Sequence, residues 1–152
     1  MTFVELLDSI KSKFQITGSK EDLGILNVEI DKSKIRDLLK YLKTELKFDY
    51  MFFTSALDWP ANNNIETIYY LYSYETKTKI VVRVKLDRSK PEIETVCDIY
   101  RTAEWHERET AEMFGIKYVN HPDLRPLLTP DGLEGYPLRK DFKHDNMVKM
   151  PE

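Results

Sequence analysis

The 152-residue sequence has one cysteine, three histidines and five glycines, and no long hydrophobic run. Each scarcity removes a class of function. A single thiol, Cys97, excludes an intramolecular disulfide and, within this chain, an all-cysteine iron–sulfur or zinc site. It also points to a reducing compartment. His106, His121 and His144 are dispersed and form no i,i+4 pair, so a metal site would have to be assembled from distant ligands. The apolar stretches are a handful of residues long, far short of the roughly 20 needed to cross a bilayer. The opening Met1-Thr2-Phe3-Val4-Glu5 has no basic region ahead of an apolar one. The expectation is a soluble, intracellular-type chain that meets a membrane only through a partner. No Gly-rich phosphate loop, serine or cysteine nucleophile motif, or metalloprotease helix is present.

What is present fits one folded unit. The 23 Lys+Arg and 26 Asp+Glu give a net charge of −3, which is unsuited to neutralising phosphates, so nucleic acid is not the expected partner. With 41% hydrophobic and 12% aromatic residues the chain can bury a core. Its length allows one domain, or one domain plus an arm.

Thr2-Phe3-Val4-Glu5 matches a capping box, and Phe3, Leu6, Leu7, Ile10 and Phe14 follow at helical spacing, predicting a helix over 3–14. Residues 25–30 alternate as a strand. Asp31 or Ser33 can cap a second helix, with Ile35, Leu38, Leu39, Leu42 and Leu46 as its stripe. Residues 50–57 read as a buried strand and 58–64 as a loop. Residues 65–74 and 79–86 then form a hairpin across 75–78. Helical periodicity over 92–114 ends at Gly115. Three consecutive strands favour an α+β fold: a small, mainly antiparallel or mixed sheet of about four strands with helices on one face.

After Gly115 the pattern changes. Residues 116–152 hold five of the seven prolines, yet large apolar side chains are spread along them. A disordered linker is poorer in such residues, and so long a structureless run is uncommon inside a compact domain. The expected organisation is an α+β domain, 1–115, followed by an extended, proline-rich arm, 116–152, that anchors on another surface.

Three clusters are candidates for chemistry. In the first, Glu104, Arg108 and Glu112 stand one helical turn apart, predicting a charge ladder worth a few tenths of a kcal/mol per pair where exposed. Trp105, Glu109 and Met113 form the neighbouring stripe, which predicts a partly buried Glu109 in need of a partner. Glu107 and Glu109, two residues apart, point to different sides of a helix and cannot act as an acid/base pair. His106 with Glu109 supplies two metal ligands, which do not make a site. The second cluster, His121-Pro122-Asp123-Leu124-Arg125-Pro126, reads as a rigid turn. The third, Pro137-Leu138-Arg139-Lys140-Asp141-Phe142, sets two cations between apolar anchors, as suits docking on an acidic surface. None of the three supplies a visible active site, and the residues alone describe an interaction module.

The same clusters carry a resemblance. The run from Trp105 through Glu107, Arg108, Glu109, Glu112, Phe114 and Gly115 to Ile116 resembles the thirty-kilodalton subunit of respiratory complex I, the NADH-quinone oxidoreductase. So do His121-Pro122-Asp123-Leu124-Arg125-Pro126-Leu127-Leu128 and Tyr136-Pro137-Leu138-Arg139-Lys140-Asp141-Phe142, in the same order and spacing. Leu57-Asp58-Trp59-Pro60 agrees upstream. Pro126 departs from the pattern, standing where many members carry a second arginine.

The resemblance implies a non-catalytic subunit of the hydrophilic arm, part of an enzyme complex that couples electron transfer to proton translocation. It implies no cofactor in this chain, with iron–sulfur clusters, flavin and quinone in partner subunits. The partners it implies are the quinone-site large subunit, across which the C-terminal segment lies, and the small subunit holding the terminal cluster. It places the chain on the cytoplasmic side of the membrane, peripherally. The signature residues, including Pro122, Asp123, Leu124, Arg125, Pro137, Leu138, Arg139, Lys140 and Asp141, would then dock and support rather than catalyse. Related subunits serve membrane-bound nickel–iron hydrogenases and complexes oxidising reduced F(420) or ferredoxin, which is the alternative reading.

Overall fold

Thr2 opens α1 (Phe3–Lys11) with the expected capping box. Its hydroxyl accepts from the Glu5 amide at 3.3 Å, and the Glu5 carboxylate accepts from the Thr2 amide at 2.8 Å. Asp31 caps a single 3-10 turn, Lys32–Lys34, through the Ser33 amide at 2.9 Å, and that turn feeds α2 (Ile35–Thr44). The computed structural model describes residues 2–145, 147 and 148. The end of the expected arm, including Pro151, lies outside the described residues.

Five strands make the main sheet: β1 (Ile16–Asp22), β2 (Ile25–Ile30), β3 (Tyr50–Trp59), β4 (Asn64–Ser73) and β5 (Thr78–Asp87). Their order is β1-β2-β5-β4-β3. Every pair is antiparallel except β2–β5, which is parallel, so the sheet is mixed and the fold α+β as expected. The period-2 pattern assigns the faces. Val28, Ile80, Val82, Val84, Ile65, Tyr69 and Leu71 are buried with the helix stripe of Leu6, Ile10, Ile35, Leu38, Leu39 and Leu42. The alternate residues, such as Glu29, Lys85 and Tyr72, stand on the open face and are partly or fully exposed.

Two elements correct the sequence reading. β1 is a strand that the sequence pattern does not announce, because Ile-Thr-Gly-Ser-Lys-Glu-Asp is an edge strand with mostly exposed side chains and no apolar alternation. Its hairpin to β2 turns on Leu23 and Gly24, both at positive φ (49° and 74°), as a two-residue loop requires.

The helix expected over 92–114 is in fact three pieces. Glu92–Glu94 is β6, residues 95–102 form turns, and only Ala103–Phe114 is helical, as α3. Val96, Ile99 and Tyr100 are buried at the predicted spacing, but through short turns in which the Ile99 and Tyr100 amides both bond to the Val96 carbonyl at 2.9 Å. β-branched residues around 93–96 favour extended backbone. Long-range donors hold it there: Arg36 of α2 reaches the Thr95 carbonyl and Lys43 the Ile99 carbonyl.

Gly115, at φ 75°, ends α3 as predicted. Within the segment read as an arm, Ile116 and Tyr118 are buried, and β7 (Lys117–Val119) pairs in parallel with β6. From 120 onward no helix or strand follows among the described residues.

Candidate docking surface and its buried support

α3 organises all three sequence clusters into one surface. Residues 121–129 run alongside it. A His121 ring nitrogen, Nε2, lies 3.0 Å from the Glu104 carbonyl oxygen. One turn on, the Arg108 guanidinium donates to the Arg125 carbonyl at 2.9 and 3.2 Å. Another turn on, the Glu112 carboxylate accepts the amides of Leu127 and Leu128 at 3.0 Å and also that of Thr129. Burial pushes the Glu112 carboxyl up, but the hydrogen bonds from Thr129, Leu127 and Leu128 outweigh it and bring it down to about 2.

The expected Glu104–Arg108–Glu112 ladder does not form. Arg108 makes no ion pair within 4.0 Å among the described residues, because the neighbouring backbone offers both groups better-aligned partners. Trp105 is exposed, with the Arg108 guanidinium 5.1 Å from its ring. Glu109 is half-buried, and no partner for it is found among the described residues.

The third cluster returns to the C-terminal end of α3. The Leu138 amide donates to the Met113 carbonyl at 3.1 Å, and Arg139 Nε to the Phe114 carbonyl at 2.7 Å. A cation at the negative end of a helix, bonded to an otherwise orphaned carbonyl, stabilises it twice over. The Tyr136 ring covers Gly115 so closely that a Cβ there would lie 2.4 Å from it. Pro137 is half-buried beside it.

Beyond this, the segment is fastened to the sheet. The Lys140 amide donates to Asp58 Oδ2 at 2.8 Å. Arg88 forks onto Asp58 at 2.6 and 3.0 Å and also holds Asp141 at 2.6 Å. Asp58 is buried, and Arg88 beside it holds its carboxyl below the usual carboxylate range.

The turn 121–125 is closed by hydrogen bonds at both His121 and Asp123. His121 Nδ1 accepts the Asp123 amide at 3.0 Å. Asp123 in turn accepts the Arg125 amide at 3.0 Å and its guanidinium at 2.7 Å, and Arg125 holds the Asp123 carboxyl well below its ordinary value. Leu124 packs on the core, while Pro122 is exposed.

Glu107 departs most from the sequence reading. Its side chain is fully buried, unlike those of the expected Glu104–Arg108–Glu112 ladder beside it. It accepts the Thr95 hydroxyl and, at 2.9 Å, the Val96 amide. Burial pushes its carboxyl up to about 7, against those hydrogen bonds. The buried His121 ring lies 3.8 Å away, Nε2 to Oε2. Cys97 completes a trio whose ligand atoms lie within 4.8 Å of one another.

The donor set does not fit a metal ion. His121 Nδ1 accepts an amide hydrogen, so the neutral ring carries its own proton on Nε2, the atom that would have to bind the metal.

Thr95, Arg36 and Arg88 support this surface, and the sequence alone does not single them out. Their partners lie 12 to 62 residues away, and no local spacing betrays them.

Against known proteins, residues 28–148 match the model of the family described as "Respiratory-chain NADH dehydrogenase, 30 Kd subunit". The chain is 36% identical over 142 residues to the C subunit of the F(420)H(2) dehydrogenase of Methanosarcina mazei, covering 91% of this chain and 90% of that one. It is 40% identical over 124 residues to the C subunit of the NADH-quinone oxidoreductase of Moorella thermoacetica, covering 82% and 84%. A chain of the membrane-bound sulfane sulfur reductase, an archaeal respiratory membrane complex, superposes with a TM-score of 0.81 at 30% identity, covering 92% and 85%. The chain belongs to the respiratory-chain NADH dehydrogenase 30-kilodalton subunit family. Among the described residues no helix is long and apolar enough to cross a membrane.

Proposed function

We propose that this chain is a cofactor-free structural and assembly subunit in the hydrophilic arm of a complex I-type NADH:quinone oxidoreductase. It docks on the quinone-site large subunit and the terminal-cluster small subunit, peripherally, on the cytoplasmic side of the membrane. It has no active site of its own, and the redox groups reside in its partners. Residues 1–115 are the α+β domain and 116–152 the partner-binding arm, whose root is buried in the domain.

One observation carries this reading. Arg108 and Glu112 of α3 hold the arm's backbone and Arg139 of the arm holds the end of α3, while Leu127, Leu128, Tyr136 and Leu138 remain 40–61% exposed. Groups bound internally are not available to a substrate, whereas an apolar ridge on a fixed backbone suits a protein partner. Purified alone, the full chain is expected to be colourless and unable to oxidise NADH. Iron or flavin bound at one equivalent per chain would overturn the assignment.

A second reading keeps the role and changes the complex. It is supported by the match to the Methanosarcina protein across nine-tenths of both chains. The donor is then reduced F(420), or the complex is a ferredoxin-linked dehydrogenase or an energy-converting nickel–iron hydrogenase. The partners that co-purify distinguish these.

A further inference from the structure

The Glu107–His121 pair sits where α3, the 95–98 turns and the root of the arm meet. His121 is bonded at both ring nitrogens, with the Asp123 amide on Nδ1 and the Glu104 carbonyl at Nε2. That carbonyl also lies within α3 and has its own helical donor, so it can lose His121 without being orphaned. The Glu107 carboxylate is 3.8 Å from Nε2, about 1 Å beyond a hydrogen bond.

The other titratable and charged groups facing Glu107 are Asp98 and Cys97 from the turns, Arg36 from α2, Tyr69 from β4 and Tyr118 from β7. Asp98 opposes ionisation of Glu107. Arg36 favours it only weakly, being bonded to Asp98 itself. Both tyrosines are held protonated by burial. Among these groups His121 brings an N–H within 3.8 Å of the Glu107 carboxylate.

We propose that Glu107 and His121 form a proton-operated catch on the root of the arm. With Glu107 protonated, His121 stays on the Glu104 carbonyl, and the Asp123 amide stays closed onto Nδ1. With Glu107 ionised, the buried charge draws the Nε2–H from Glu104 to Oε2. The ring swings and pulls Nδ1 away from the Asp123 amide, which loosens the turn 121–125. The proton leaves Glu107 for solvent, and no other covalent bond forms or breaks. Because Glu107 titrates near neutrality, the catch responds in the physiological range. The consequence for assembly rests on the docking function proposed above; the catch itself does not.

Hydrogen exchange at the Asp123 amide in the full chain, followed by NMR between pH 6 and 8, tests it. After correction for intrinsic exchange, protection is expected to fall about tenfold across that range in the native chain and to stay level in Glu107→Gln. Thr95→Val, which removes a hydrogen bond favouring the carboxylate, should move the fall to higher pH. Level protection in the native chain, or the same fall in Glu107→Gln, would overturn the catch. The exchange readout needs no partner, so its failure counts against the catch alone. Failure of the chain to capture partner subunits at either pH counts against the docking function alone.

Discussion

The Leu128 amide points into the Glu112 carboxylate and lies 3.0 Å from each of its oxygens, although 16 residues separate the two in the chain. Leu127 and Thr129 donate to the same carboxylate, so one helical side chain fixes three successive backbone units of the arm. Arg108, one turn earlier on α3, also works on main chain rather than on side chain, through the Arg125 carbonyl.

Replacing Glu112 by glutamine removes one acceptor oxygen and sets an amide NH2 against backbone N–H groups. The cost is about 1–2 kcal/mol. Amide exchange at 127–129 should accelerate tenfold or more while the β4–β5 amides keep their protection. The pH dependence has a definite sign. The Glu112 carboxyl is held at about 2, below its ordinary 4.5, so its contribution is complete above pH 4.5 and is lost as pH falls toward 2.

Asp58→Asn tests the far end of the arm. The substitution takes the buried carboxylate from Arg88 and weakens the acceptor for the Lys140 amide, costing about 2 kcal/mol. Tryptic cleavage after Arg139 and Lys140 should become several-fold faster, while the sheet and helices, followed by far-ultraviolet circular dichroism, remain folded. Unchanged cleavage would show that the latch does not hold the arm.

Gly115→Ala meets two obstacles: φ of 75° and the Tyr136 ring, 2.4 Å from the new methyl. The left-handed backbone alone costs about 1–2 kcal/mol. A double-mutant cycle with Tyr136→Ala separates the two effects. Removing the ring should recover the steric part of the loss and leave the backbone part.

Glu107→Gln addresses the buried acid. Its folded-state carboxyl lies at about 7, above the ordinary 4.5, so between those values the native state holds a proton that the unfolded state has released. Stability from this group is therefore full below pH 4.5 and falls as pH rises through 7, by about 3 kcal/mol in all. Urea unfolding at pH 5.5, 6.5, 7.5 and 8.5 should show the native chain losing about 2 kcal/mol relative to Glu107→Gln, the part of that loss that falls above pH 5.5. A constant difference across the range would contradict the assignment.

Much of this architecture is legible in the residues, and what escapes does so for physical reasons. The Thr2–Glu5 capping box, the alternation of β5 and the stop at Gly115 are local signals, and all three are found. β1 escapes because an edge strand whose side chains are mostly exposed needs no apolar period. The stripe Ile93, Val96, Ile99 and Tyr100 is buried as expected but is not helical, since periodicity reports which residues face the core and not which backbone takes them there. The three clusters are recognisable as a set, but their roles are not. Arg108 and Glu112 look like partners on a helical wheel, and only the fold brings backbone donors and acceptors from 125–129 closer than the wheel brings their charges. Glu107 is the sharpest case, because nothing local distinguishes a buried glutamate from its exposed neighbours.

The central claim is that the fixed arm presents an apolar docking ridge to partner subunits of a respiratory complex. Leu127, Leu128 and Leu138 are exposed, so changing all three to serine should leave folding intact. The decisive measurement is gentle affinity purification of the full chain from its own cell, native against the triple variant, with the captured subunits quantified. The native chain is expected to bring down a large and a small redox subunit stoichiometrically. The triple variant should unfold at the native temperature yet lose at least nine-tenths of both. Undiminished capture by the folded triple variant would contradict the claim.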